Sequence, residues 1–307
     1  MDFTSIISVL CKLFALLALG YFLNKRKILD THINGGISSL MVNATNPALI
    51  LSSISATGNS DQSDVMRLIL FGALFYALLV LLAFLLVRLL RVPNQKRSTV
   101  QLLLVFSNTG FMAIPVVQTL YGDIAVFYCT ILNLPFNFLI YSYGVYLLSK
   151  SSGSGKKLSF RQFLSPGIIA SALALLIYFT GFRIPTVIND TFSFLGNITP
   201  PLSMLLLGSV LAEYPLSSMW QDKRINLLLL IKLLLLPFLA LFLTSLFFTD
   251  PVIIGVTTLT FAMPCASMCV MLCKEYKGDS RTASVGVVFS TLLSLITIPI
   301  IFLLLLL

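Results

Sequence analysis

The chain has 307 residues, of which 58% are hydrophobic and only 10% charged, and its mean hydropathy is +1.00. A soluble domain of this size carries roughly 25% charged residues, so there is too little charge here to cover a hydrated surface and the apolar excess must face lipid. The formal net charge of +9 then belongs to loops at a membrane face, and no nucleic-acid partner is expected.

Apolar runs between polar punctuation predict an all-α membrane protein of ten spanning helices, at about 5–24, 36–55, 65–90, 100–120, 124–148, 166–182, 192–212, 227–248, 252–272 and 283–306. The first run ends in Lys25-Arg26-Lys27 and lacks a basic leader and a small-residue cleavage site, so it reads as a retained span. Tyr121-Gly122-Asp123, between the fourth and fifth runs, predicts a tight surface turn. The longest polar stretch, 150–165, divides the chain into two halves, 1–149 and 166–307. With the N-terminus outside, the inner loops collect Lys25, Arg26, Lys27, Arg88, Arg91, Lys96, Arg97, Lys150, Lys156, Lys157, Arg161, Lys223, Arg224, Lys274, Lys277 and Arg281. That leaves only Arg67 and Arg183 outside, with Lys12 and Lys232 inside spans. The bias predicts a multi-pass plasma-membrane (cell inner membrane) protein with both termini away from the cytoplasm.

The halves echo each other. Asn43-Ala44-Thr45-Asn46-Pro47 matches Asn197-Ile198-Thr199-Pro200-Pro201 at an offset of 154, and Tyr121-Gly122-Asp123 matches Lys277-Gly278-Asp279 at 156. Five spans per half, an odd number, turn the second copy upside down, the inverted repeat of secondary transporters. Corresponding spans are interrupted: Ser107 to Pro115 in the fourth, with Asn108, Thr109 and Gly110, and Ala262 to Ser267 in the ninth, with Pro264 and Cys265. Breaks at Pro115 and Pro264, with a second pair at Pro47 and Pro201, are expected to free backbone groups. Half-helix N-termini meeting at one centre favour an anion. Asn43 and Asn197 read as buried amides needing partners, and Asn133, Pro135 and Asn137 add polarity nearby.

Other residue types narrow the chemistry by where they fall. All eleven carboxylates lie in loops or at span ends and the single histidine, His32, lies in a loop, which argues against a buried carboxylate proton relay. Lys232 is expected to snorkel towards the cytoplasmic surface, and Lys12 is similar. Cys265, Cys269 and Cys273 recur every four residues, which suits packing; with no His or carboxylate beside them no metal site is expected. No H-E-x-x-H, G-x-S-x-G or P-loop occurs, so neither an enzyme nor a cofactor is implied.

Asn108-Thr109-Gly110-Phe111-Met112-Ala113-Ile114-Pro115 with Tyr121-Gly122, and Ala262-Met263-Pro264 with Lys274-Glu275-Tyr276 and Ser284-Val285-Gly286-Val287, resemble the fourth- and ninth-helix regions of the auxin efflux carrier (AEC) family. The resemblance covers essentially the whole chain. It implies two inverted five-helix repeats, with the broken fourth and ninth helices crossed at the centre. It also implies a scaffold that often dimerises and an elevator-type transport domain carrying small organic anions such as carboxylates. The resemblance puts the substrate carboxylate on Asn108, with further contacts near Asn46, Ile50 and Asn137; the interrupted segments add Thr109, Gly110, Pro264, Cys265 and Ser267 to the expected substrate-binding set. Two features depart from the plant members: the short 150–165 connection, and Cys265 where those carriers have glutamine after the proline. An anion channel or a membrane sensor on the same fold is the alternative.

Overall fold

The computed structural model describes residues 3–57, 61–152, 165–213 and 222–305. The connection expected at 150–165 lies outside these except at its two ends. Among the described residues the regular elements are helices. The first half holds α1 (Phe3–Lys25), α2 (Thr31–Leu40), α3 (Asn46–Ser52), α4 (Gln62–Leu89), α5 (Asn94–Val105), α6 (Ile114–Tyr121), α7 (Asp123–Leu139) and α8 (Val145–Ser152). The second holds α9 (Pro166–Thr180), α10 (Thr186–Gly196), α11 (Thr199–Ala212), α12 (Lys223–Phe247), α13 (Pro251–Ala262), α14 (Met268–Glu275) and α15 (Ser280–Leu305). Each of the ten runs read from the sequence is occupied by one of these helices or by two in succession. Six continuous stretches among the described residues are long and apolar enough to cross a bilayer: Thr31–Thr57, Gln62–Leu89, Asp123–Lys150, Thr186–Ala212, Lys223–Phe247 and Ser280–Leu304.

The carboxylates explain the helix starts. Asp30, Asp61, Asp222, Asp250 and Asp279 each accept a backbone N–H from the first turn of the helix that follows, which satisfies a donor the helix cannot use. Gly122 (φ 80°) makes the tight turn from α6 to α7, and Gly181 (φ 67°) ends α9.

Two expected interruptions turn out to be absorbed. A π turn, Met41–Thr45, carries the chain from α2 into Pro47 near the start of α3, and Pro200 and Pro201 lie at the start of α11 just after a turn at Asn197. Proline needs no N–H partner in a first helical turn, so helical direction continues through both places. The amides of Asn43 and Asn197 are exposed, not buried: Asn43 donates to the Ser39 carbonyl in its own helix, and Asn197 meets Gln118 and Ser193. The buried members of the repeated motif are its threonines, and the Thr199 hydroxyl donates to Thr45 Oγ1 at 2.8 Å.

Packing runs both between the halves and within them. α1 runs along α11, α3 packs on α9 and α10, α4 on α7, and α12 on α13 and α15. The α1–α11 seam is closed by glycines. A Cβ on Gly208 would run into the Leu17 carbonyl, and one on Gly20 into that of Leu205. Gly208→Val is therefore expected to lose about 2–3 kcal/mol by overpacking, seen as a lower melting temperature in detergent. Gly35→Ala, where nothing lies within 4 Å, should melt like the wild type.

Candidate functional site

The centre of the molecule is a crossing of two unwound segments. α5 ends with the Phe106 N–H on the Leu102 carbonyl, and Phe106 turns extended. α13 ends at Ala262, and Met263 is extended in the same way. The two segments then pair antiparallel, Ser107 opposite Cys265. Asn108 N donates to Pro264 O at 2.7 Å, and Ala266 N to Phe106 O at 3.0 Å. The Ser290 hydroxyl of α15 accepts the Cys265 N–H at 3.0 Å. Helical structure resumes at Thr109 through a π turn, Thr109–Ala113, leading into α6, and at Met268 in α14.

Lys232 sits against this crossing. It is 1% exposed on α12, and its ammonium donates to the carbonyls of Leu103 (2.6 Å) and Phe106 (3.1 Å), with Cys265 Sγ at 3.8 Å. The expected snorkelling is overturned. The ammonium is held at the negative C-terminal end of α5, where the break removes the N–H groups that would otherwise meet those carbonyls. The cysteine stripe lies along the same helix. Cys265 donates to Leu103 O, Cys269 to Leu102 O, and Cys273 meets the Thr99 hydroxyl.

On the crossing lies a cavity of about 160 Å³. Of the residues expected to form the site, Asn108, Thr109, Gly110, Asn46, Ile50, Asn137 and Ser267 line it. Pro264 and Cys265 do not: Pro264 supplies its carbonyl to Asn108, and the Cys265 thiol is turned to Leu103 O and Lys232. Pro115 follows the π turn in α6, after the chain has already resumed helical form, while Pro264 lies in the unwound segment itself. Several lining residues had no signal in the sequence, among them Phe136, Tyr141, Ser165, Ser171, Met268 and Met271. Ser165-Pro166 is recognisable as a helix start, but not as one that approaches the fourth span.

The wall at the crossing carries unsatisfied polar atoms. Asn108 Oδ1 accepts the Phe111 N–H at 3.3 Å, which leaves its Nδ2 without a partner. The hydroxyls of Ser107 and Thr109 and Asn46 Oδ1 are also buried and unpartnered. These residues are 0–3% exposed at positions 107–109, and such orphans are uncommon in a folded interior. Among the described residues no Asp, Glu, Lys, Arg or His lines the cavity, and no cluster of His, Cys, Asp or Glu could hold a metal ion. The helical turns starting at Thr109 and Met268 bring positive N-terminal ends to the crossing.

Apolar helices that surround two interrupted ones, with orphaned donors at the break, define a multi-pass membrane transporter. The family model described as "Membrane transport protein" matches residues 5–159 and 151–302. The chain belongs to that family, the auxin efflux carrier transporters. It is 26% identical over 289 residues to an uncharacterized transporter of Methanothermobacter thermautotrophicus, covering 92% of this chain and 93% of the relative. It is 22% identical over 310 residues to the uncharacterized transporter YfdV of Escherichia coli K12, covering 96% of each. An uncharacterized transporter of Methanocaldococcus jannaschii is 23% identical over 291 residues, 92% of this chain and 93% of the relative.

The two sides of the unwound segment give a direct check. With the native cysteines replaced, a single cysteine put in place of Ser267, which lines the cavity, should react with a water-soluble maleimide. A single cysteine retained at position 265, 0% exposed, should stay unlabelled until the protein is denatured.

Proposed function

We propose that this transporter is a secondary carrier of small organic anions, held by a carboxylate at the crossing. The observation that carries the reading is the run of buried, unpartnered donors at Ser107, Asn108 and Thr109, beside two helix N-termini. A carboxylate offers two oxygens with about four acceptor sites and is the complement of such a cluster. Lys232, bonded to the back of the same segment, offsets the negative end of α5 and favours an anion in front.

The reading includes ten membrane spans arranged as two inverted five-helix repeats. Several pairings support it. The Thr45–Thr199 hydrogen bond joins positions 154 apart, and Asn108 meets Pro264, 156 apart; equivalent residues touch each other where a two-fold axis passes between the copies. The packing of α1 on α11 is echoed by α9 on α3, and that of α4 on α7 by α12 on α15. In the proposed cycle α4–α8 and α12–α15 move as an elevator against a scaffold of α1–α3 and α9–α11, through which two copies pair. With both termini outside the cytoplasm of a plasma-membrane protein, two cavity residues, Ser165 and Met271, adjoin the basic cytoplasmic loops. At the other end Gln118 Nε2 of α6 donates to Asn197 Oδ1 beside α11 at 3.1 Å. The cavity therefore faces inward in this conformation.

Removing one donor to a charged ligand costs about 1.5–3 kcal/mol, so Asn108→Ala should weaken acid binding roughly tenfold to a hundredfold with the melting temperature little changed. Asn43→Ala, exposed and bonded within its own helix, should transport like the wild type. Normal liposome flux by Asn108→Ala would sink the assignment, and non-saturating currents from the reconstituted protein would favour a channel. Lys232→Met should also weaken binding, by up to about tenfold for a cation at a partly buried helix C-terminus.

A further inference from the structure

We propose that Lys232 is a built-in coupling cation: its ammonium fills a monovalent-cation position at the open end of α5, so that the carrier works without sodium or potassium. The inference rests on the carboxylate reading only where it concerns the substrate; the cation position stands on the crossing itself. An ammonium has three N–H donors, and here all three meet acceptors: the carbonyls of Leu103 at 2.6 Å and Phe106 at 3.1 Å, and Cys265 Sγ at 3.8 Å. The carbonyls belong to the last turn of α5 and its cap residue, and the sulfur to the unwound segment that follows α13. Carbonyls freed at the C-terminal end of an interrupted helix, at the negative end of its dipole, are also what secondary transporters use to seat a coupling cation.

The charge of Lys232 sets it apart from a simple cap. The residue is 1% exposed, and neither of the ion pairs found among the described residues, Arg67–Asp64 and Lys96–Asp222, involves it. A cation buried without a carboxylate is strongly disfavoured, and membrane proteins retain one chiefly where function needs the charge. A neutral donor would satisfy the same carbonyls at a smaller desolvation cost. What the ammonium adds is a full positive charge, fixed behind the orphaned polar groups of Ser107, Asn108 and Thr109. With a carboxylate in front of those groups, that charge balances it as a bound alkali ion would. The stem shares a void of about 10 Å³ with Leu79, Leu82, Leu86, Leu104 and Leu236. Shortening the side chain therefore opens a pocket with carbonyls at one end.

The test is thermal melting of the purified full chain in choline, sodium and potassium chloride at equal ionic strength. The wild type should melt at one temperature in all three. Lys232→Ala, which removes the ammonium and leaves room, should melt lower in choline and recover by at least about 2 °C in sodium or potassium. Lys232→Met, which refills the room with an apolar stem, should melt lower in all three alike. Calorimetric titration with benzoate and malonate then reads the coupling. Wild-type affinity should agree within about twofold across the salts, and that of Lys232→Ala should rise at least about tenfold from choline to the stabilising alkali ion. Wild-type melting or acid binding that strengthens with sodium or potassium would overturn the proposal without any variant. So would indifference to all three salts in Lys232→Ala, or in Lys232→Ser if the alanine variant does not fold. Equal recovery in Lys232→Met would place the cation elsewhere, and recovery of melting without recovery of acid affinity would overturn the coupling role. If neither acid binds the folded wild type, the carboxylate reading fails, while the melting series still decides the cation position.

Discussion

An unwound backbone inside an apolar protein is tolerable only where its N–H and C=O groups find partners, and this constraint organises the centre of the molecule. Two helices stop in mid-course, and each supplies partners for the other: Asn108 to Pro264 and Ala266 to Phe106. The remaining groups draw on side chains from other helices, the Ser290 hydroxyl of α15 and the Lys232 ammonium of α12. The surrounding helices are positioned to deliver those partners.

The crossing also accounts for the proposed suitability of the site for an anion, although no charged residue lines it among the described residues. The backbone bonds are saturated between the two segments, so the side chains at Ser107, Asn108 and Thr109 are left with polar atoms to offer. Asn108 has two tasks. Its oxygen caps the turn that restarts the helix, and that contact directs its amide nitrogen away from the backbone. Lys232 adds a positive charge behind the segment, at the end of α5 and outside the cavity lining. On the proposed reading, neutral donors in front and a fixed cation behind would let one negative charge enter and leave, since a direct ion pair in a low-dielectric place holds it more firmly.

How far all this was legible depends on the range of the interaction. The Asn108 to Pro115 segment and the Pro264 region stand out because glycine, proline and amides interrupt an apolar run, a local signal. The repeat at offsets 154 and 156 was also local, although its meaning at the motif level shifted. The asparagines at 43 and 197 are the more polar groups of the motif, yet helical phase turns them outward and buries the threonines at 45 and 199. Pro47 and Pro201 looked like breaks, but each falls in a first helical turn, where proline is at no disadvantage. Lys232 looked like a snorkelling residue because its carbonyl partners are 126 and 129 positions away in the chain, and no pattern within a helix reveals them.

By itself, then, the sequence determined the membrane environment, the number and placing of apolar runs, the even spacing of the two halves and the interruptions near Asn108 and Pro264. Those follow from composition, periodicity and the stereochemistry of glycine and proline, which act over a few residues. Tertiary structure alone decided which face of each interruption meets the cavity and which meets the packing. It set Asn108 towards open space and Cys265 towards Lys232, and it brought Ser165, Phe136 and Met271 to one cavity from three separate stretches of chain. The physical reason is that backbone satisfaction at the crossing is a negotiation among α5, α12, α13 and α15, and its outcome is not encoded in any one of them.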